Sequence, residues 1–222
     1  GKSMTARAAL GLLPPQARLA GRVEVNGRDV SGASALSRDG AARPAMVMQD
    51  TLSALNPLTS IGYQLERPLR RRGLGRAEAR AEARRLLADV GLPDPEQIAA
   101  RSSPELSGGQ RQRVCIAIAL ACAAPVIIAD EPTSALDVVT QAQILQLLKS
   151  VTAAPGGPGL LFITHDLHEA AHLCDRALVI EAGRVVEAGP MRRILTDPQH
   201  PHTRRLIASA ASCGIACERL YA

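Results

Sequence analysis

Leu106-Ser107-Gly108-Gly109-Gln110 is followed, twenty residues on, by a run that ends Val126-Ile127-Ile128-Ala129-Asp130-Glu131-Pro132-Thr133-Ser134-Ala135-Leu136-Asp137. The first stretch is a Gly-rich turn opening onto a helix, a shape that offers free backbone N–H groups to an anion. The second is an apolar run ending in two adjacent carboxylates. One of these can hold Mg²⁺ and the other can accept a proton from water. Together they imply nucleotide phosphates, a divalent metal and hydrolysis. As a lone pair, Asp-Glu at a strand end reads as a solvated turn. The apolar run before it and Pro-Thr-Ser-Ala-Leu-Asp after it reverse that reading.

The opening residues agree. Gly1-Lys2-Ser3 matches the tail of a phosphate-binding loop, G-x-x-x-x-G-K-[ST]. Lys and Arg total 26, yet only Lys2 and Lys149 are lysine. A chain that uses arginine almost everywhere else places a compact ammonium here, where a planar guanidinium would not replace it at the β/γ-phosphates. The sequence therefore reads as opening inside the loop. The expectation is an N-terminally truncated fragment, with a core strand and the first loop glycine lying before residue 1.

These residues resemble the ATP-binding subunits of ABC transporters, and the motifs occur in order along essentially the whole chain. Gly1-Lys2-Ser3 looks like the end of Walker A, and Gln49 in Val47-Met48-Gln49-Asp50 looks like the Q-loop glutamine. Leu106 to Gln110 is similar to the ABC signature, Val126 to Glu131 to Walker B, and Ser134-Ala135-Leu136-Asp137 to the D-loop. His165 in Ile163-Thr164-His165-Asp166 matches the switch histidine. The resemblance implies an α/β P-loop NTPase with a mostly parallel core sheet. It implies a single domain over 1–222, with a helical subdomain at 52–114 between Q-loop and signature and a C-terminal tail over 190–222.

The resemblance also implies roles for ATP and Mg²⁺. Gly1, Lys2 and Ser3 hold the phosphates, Ser3 and Asp130 hold the metal, and Gln49 touches the metal or the attacking water. Glu131 is the general base and His165 contacts the γ-phosphate. Ser107, Gly108, Gly109, Gln110 and Asp137 act on the ATP of a second ATPase subunit, homologous or identical. Other implied partners are transmembrane permease subunits and, indirectly, a solute-binding protein, which places the chain on the cytoplasmic face of a membrane. Gly11-Leu12-Leu13-Pro14-Pro15, Asn56-Pro57-Leu58 and His200-Pro201-His202-Thr203 resemble peptide/nickel importers, with His202 where that group commonly has Tyr.

Bulk properties bound the alternatives. A length of 222 residues is one domain, and 46% hydrophobic content is enough for a core built of Ala, Leu, Val and Ile, with aromatics at only 1%. Net charge is +5, and the densest basic run is Arg67, Arg70, Arg71, Arg72 and Arg76. No aromatics interleave with it, so no nucleic acid partner is expected. A solvated face is the default reading of such a run, and lipid headgroups or an acidic partner are the preferred functional one. Five scattered cysteines, an odd number, indicate a reducing compartment, and Cys213-x3-Cys217 alone supplies too few ligands for a metal. No secretory signal is visible. The longest apolar stretch, Val114 to Ala129, is interrupted by Pro125 and reads as a buried helix, a break and a buried strand.

Periodicity predicts helices over Ser3–Leu13, Tyr63–Arg71, Arg76–Val90, Gln110–Cys122 and Val139–Val151. Strands are predicted at Gly21–Val30 with an Asn-Gly turn, at Ala45–Met48, at Val126–Ala129, at Leu160–Thr164, and as a hairpin of Ala177–Ile180 with Arg184–Glu187. Residues 31–44 read as a loop or a loosely formed helix. Two other readings compete with a transporter ATPase. A DNA- or ribosome-directed ABC ATPase usually carries long coiled coils or paired domains, and no heptads are present here. A non-catalytic assembly subunit would bind nucleotide poorly.

Overall fold

A computed structural model describes residues 1–212. Cys213, Cys217, Tyr221 and the end of the 190–222 tail lie outside the described residues. In chain order the elements are α1 (Lys2–Leu10), β1 (Glu24–Val25), β2 (Arg28–Asp29), β3 (Ala45–Val47), α2 (Thr51–Ala54), α3 (Ile61–Arg71), α4 (Arg76–Asp89) and α5 (Pro95–Ala100). Then come α6 (Gly108–Ala121), β4 (Val126–Asp130), α7 (Val138–Ala153), β5 (Gly159–Ile163), α8 (Leu167–Leu173), β6 (Arg176–Glu181), β7 (Arg184–Pro190), α9 (Met191–Thr196) and α10 (Pro201–Ser212).

The sheet that matters for the site is parallel, in the order β3-β4-β5, with Val47 opposite Ala129 and Asp130 opposite Ile163. Parallel strands need both faces covered, and β4 is accordingly apolar throughout its centre. Successive side chains alternate between the faces. Ile128 packs with Ala6 and Leu10 of α1 and with Ile163. Ile127 and Ala129 join the larger cluster with Ile116, Ile144 and Leu148. The sheet is thus held between α1 on one side and α6 and α7 on the other, with every strand's C-terminal end at the same edge.

α3, α4, α5 and α6 pack on one another, and their cluster of Leu65, Leu69, Leu87, Val90 and Val114 is continuous with the larger cluster against the sheet. Ala79, Ala83, Leu86 and Leu87 form the buried stripe of α4, as the periodicity predicts. α6 belongs to both parts, and Arg113 ties them: its guanidinium donates to the Val90 carbonyl at 2.6 Å and to Gln143 of α7 at 2.8 Å. Arg72, counted with the basic run, instead donates to the Ala121 carbonyl at the end of α6.

Two predicted boundaries move. α1 stops at Leu10, not Leu13, because Gly11 adopts the left-handed conformation (φ 70°) and its amide and that of Leu12 turn back to Ala8 and Arg7. A Cβ on Gly11 would meet the Ala33 carbonyl at 2.6 Å, so glycine is required there twice over. The long first strand shrinks to the two-residue arms β1 and β2 around the Asn26-Gly27 turn. Residues 31–44 form turns around Arg38, which is buried and donates to the carbonyls of Val30, Ala33, Ala8 and Ala9. α2, α5, α8 and α9 are too short (four to seven residues) for periodicity to show, and these and α10 are absent from the sequence expectations. Among the described residues no helix is long and apolar enough to cross a membrane.

Candidate functional site

The C-terminal ends of β3, β4 and β5 bring the first cluster together. Open parallel sheets place ligands at that edge, beyond the carboxyl ends of the strands. Asp130 is the last residue of β4, half-buried, and Glu131 follows it. The Glu131 amide donates to the Ile163 carbonyl at 2.8 Å, which fastens the β4 exit to the end of β5. Two residues on, Nδ1 of His165 lies 3.2 Å from Oε1 of Glu131. The ammonium of Lys2, in the first turn of α1, donates to the Thr164 carbonyl at 2.9 Å. Lys2, Glu131 and His165, 163 positions apart at their extremes, therefore meet at one strand edge.

Glu131 has φ 46°, a left-handed backbone unusual for a residue with a side chain, and it precedes a proline that disfavours it further. Such strain concentrates at functional sites, where the surroundings fix it. Its side chain is 24% exposed and that of His165 is 70% exposed, so the pair faces open space. A cavity of about 170 Å³ borders it, lined by Glu131, Thr133, Gln141, Thr164, His165 and Glu169 among others. Extending the β3–β4 register by two residues puts Gln49, exposed just past β3, level with Glu131. Ser3 is exposed in the first turn of α1, and Gly1 is the residue capping that helix, packed against Gly183 of the β6–β7 turn. A larger cavity, about 410 Å³, lies away from this edge along α3, between Tyr63, Arg67, Arg70 and Arg71.

The second cluster is the start of α6. Ser107 caps it, accepting the Gln110 amide at 3.3 Å, while Gln110 accepts the Ser107 amide at 3.0 Å. This reciprocal capping box leaves the Gly108 and Gly109 amides, in the first turn, without an intrahelical acceptor. Asp137 caps α7 in the same way, accepting the Thr140 amide at 3.0 Å and its hydroxyl at 2.6 Å. Those bonds, the hydroxyl first, hold the Asp137 carboxyl below its usual range. The cap is therefore complete above the ordinary carboxylate pKa and is lost as pH falls through the lowered one.

The two caps touch through Gly109. A Cβ there would meet Cγ2 of Thr140 at 2.7 Å, and that methyl cannot swing away without releasing Asp137. Gly109→Ala is expected to destabilise by about 1–3 kcal/mol through overpacking, against the roughly 0.5–1 kcal/mol that alanine gains over glycine in an open helix. Urea unfolding decides the sign, and a stabilised variant would contradict the close approach. No hydrogen bond or ion pair among the described residues joins this signature turn to Glu131 or Lys2. Leu136, which lines the Glu131 cavity, lies beside Gly108 and puts the two clusters in apolar contact.

Sequence reasoning missed the group that holds the first cluster. Glu169 of α8 is buried and accepts hydrogen bonds from Thr133, Gln141 and Thr164. Its signal was an acidic residue three positions after the helix-capping Asp166, a spacing that reads as an outward capping box.

Comparison with known proteins gives concordant results. The family model described as "ABC transporter" matches residues 1–134. The chain is 47% identical over 171 residues to the glutathione import ATP-binding protein GsiA of Shigella flexneri serotype 5b, covering 77% of this chain and 27% of that protein. It is 41% identical over 227 residues to the "Probable D,D-dipeptide transport ATP-binding protein DdpD" of Escherichia coli K12, covering 100% of this chain and 69% of that protein. The chain spans about a quarter to half the length of the curated relatives it matches at higher identity (27% and 51%). Among solved structures, the dimeric post-hydrolysis state of the ATP-binding cassette MJ0796 bound to ADP and Pi matches with a TM-score of 0.70 at 29% identity, covering 86% of this chain and 81% of that one.

Proposed function

The chain belongs to the ABC transporter family and has the P-loop NTPase fold of its ATP-binding cassettes, and from that premise we propose that it binds and hydrolyses ATP to power a peptide importer. The observation that carries this reading is the meeting of Lys2, Glu131 and His165 at the ends of adjacent parallel strands. Lys2 leaves the Thr164 carbonyl for the β/γ-phosphates, which its flexible stem permits. Glu131 takes a proton from water as the water oxygen attacks the γ-phosphorus. The bond to the β–γ bridging oxygen breaks and ADP leaves with its charge. His165, beside Glu131, contacts the γ-phosphate, and Gln49, level with Glu131 when the β3–β4 register is extended, touches the metal or the attacking water.

The donor set fits Mg²⁺. Ser3 and Asp130 offer one hydroxyl and one carboxylate, and the described residues contain no group of three or more His, Cys, Asp or Glu side chains that would form a self-sufficient cage. Mg²⁺ at nucleotide sites takes one or two protein oxygens, with phosphates and water completing the octahedron. When bound it neutralises charge on the β- and γ-phosphate oxygens.

Action in trans is supported by the matching cassette structure, which is a dimer with ADP and Pi. Ser107, Gly108, Gly109 and Gln110 of one chain close on the ATP held by a partner's phosphate loop, with Asp137 lining the seam. The energy source is the differential affinity of ATP and ADP for the closed state: ATP favours closure, and hydrolysis to ADP removes that preference. Residues 52–114 serve as the helical subdomain and, with Gln49, pass the motion to permease subunits on the cytoplasmic face of the membrane. Peptides are the favoured cargo class, because the relatives described above are named for glutathione and a D,D-dipeptide. A solute-binding protein delivers such cargo to importers of this kind.

Ser107→Ala tests the trans arrangement. It should weaken ATP-dependent dimerisation more than it weakens nucleotide binding by one chain, with about 1 kcal/mol of helix stability lost from the cap in both states. Sedimentation and nucleotide titration measure the two effects, and equal loss of both would argue for a signature that works within its own chain.

A further inference from the structure

We propose that Glu169 is a positioning residue that sets the spacing between Glu131 and His165, an inference that rests on reading Glu131 as the general base. Glu169 is 6% exposed, and no cation lies among its partners. One carboxyl oxygen accepts the Thr133 hydroxyl and the Gln141 amide, and the other accepts the Thr164 hydroxyl at 2.7 Å. These three donors come from three segments that are separate in sequence. Thr133 is two residues past Glu131, Thr164 immediately precedes His165, and Gln141 lies one turn into α7, which Asp137 caps.

A buried carboxyl group is costly unless its oxygens are matched with donors, and an apolar side chain would fill the same space more cheaply. What the carboxyl supplies is a shared origin for the Glu131 turn, the His165 turn and the start of α7. Thr164 extends that origin further: its hydroxyl also accepts the Asp166 amide at 2.9 Å, and its carbonyl receives Lys2. Removing Glu169 strands two hydroxyls and an amide beside a cavity that water can enter. The Glu131–His165 contact then keeps the backbone tie from the Glu131 amide to the Ile163 carbonyl and loses the side-chain anchor that sets the two turns against each other.

The test compares Glu169→Ala and Glu169→Gln with the parent protein, measuring kcat, KM for ATP and ATP affinity by direct titration. Glu169→Ala should lower kcat roughly 10- to 100-fold, the scale of a small misplacement of a reacting group. ATP affinity should change by less than about threefold, since Lys2 and Ser3 keep their places on α1 and only the His165 contact with the phosphates is displaced. Glu169→Gln should recover most of the rate, because its amide oxygen can accept from Thr133 and Gln141 while its NH₂ donates to the Thr164 hydroxyl. An unchanged kcat per ATP-binding chain in Glu169→Ala, or a Gln variant as slow as the Ala variant, overturns the proposal. Should Glu169→Ala fail to fold, Thr133→Val removes one donor isosterically and is read by the same two criteria. Glu131→Gln run in parallel separates the two levels. Full activity there removes the base itself, whereas a slow Glu131→Gln beside a normal Glu169→Ala removes only the positioning role.

Discussion

Glu131→Gln is expected to bind ATP as the parent does and to hydrolyse it roughly 10²–10⁴-fold more slowly. The substitution is close to isosteric, so what the backbone does at this position persists. The amide still donates to Ile163, the left-handed φ of 46° is still imposed, and Pro132 stays buried behind it. The His165 contact survives too, since an amide oxygen can occupy the place of Oε1. What disappears is the capacity to take a proton from water at the moment the new P–O bond forms. Single-turnover hydrolysis and equilibrium ATP binding, measured on the same preparation, separate the two properties. A turnover rate equal to the parent's would take Glu131 out of the base role.

Lys2→Ala should act on the other property. Its ammonium is half-buried and already occupies a hydrogen bond to a backbone carbonyl, a holding position from which it can reach incoming phosphate. Removing one partner of a close, charge-assisted contact costs about 2–5 kcal/mol, so ATP affinity should fall roughly 30- to several-thousand-fold. Lys149, the other lysine, is exposed on α7 and serves as the control, since Lys149→Ala removes the same charge with no expected change in affinity. Isothermal titration of the two variants is decisive, and comparable losses in both would reduce the role of Lys2 to net charge.

Much of this was legible because short motifs carry both fold and chemistry. Val126 to Glu131 announces a buried strand that must deliver its carboxylates at a loop, and β4 does so with Asp130 as its last residue. Leu106 to Gln110 announces a Gly-rich turn opening onto a helix, and α6 begins there at Gly108 behind the Ser107 cap. Arg76 to Val90 announces one buried stripe, and α4 buries it. The misses have physical causes. Gly11 was read as part of a helix because the apolar residues continue to Leu13, yet its left-handed conformation and the nearby Ala33 carbonyl end the helix at Leu10. Arg72 is exposed with its neighbours in the basic run, and its guanidinium in addition reaches the Ala121 carbonyl at the end of α6, which the run alone does not announce. Glu169 could not be found by spacing at all, since its three donors are gathered by the tertiary fold. Periodicity reports which face is apolar, and it is silent about an acid turned inward to meet hydroxyls.

In the proposed trans arrangement each nucleotide is gripped by the phosphate loop of one chain and the signature turn of another. The mass of Glu131→Gln in solution, with and without ATP and Mg²⁺, tests it most directly, because blocked hydrolysis should trap the closed state. A single chain is expected without nucleotide and a two-chain particle holding two ATP with it, reverting to single chains when Ser107 is also replaced by a bulky residue. A protein that fills with ATP yet keeps the mass of one chain would contradict it.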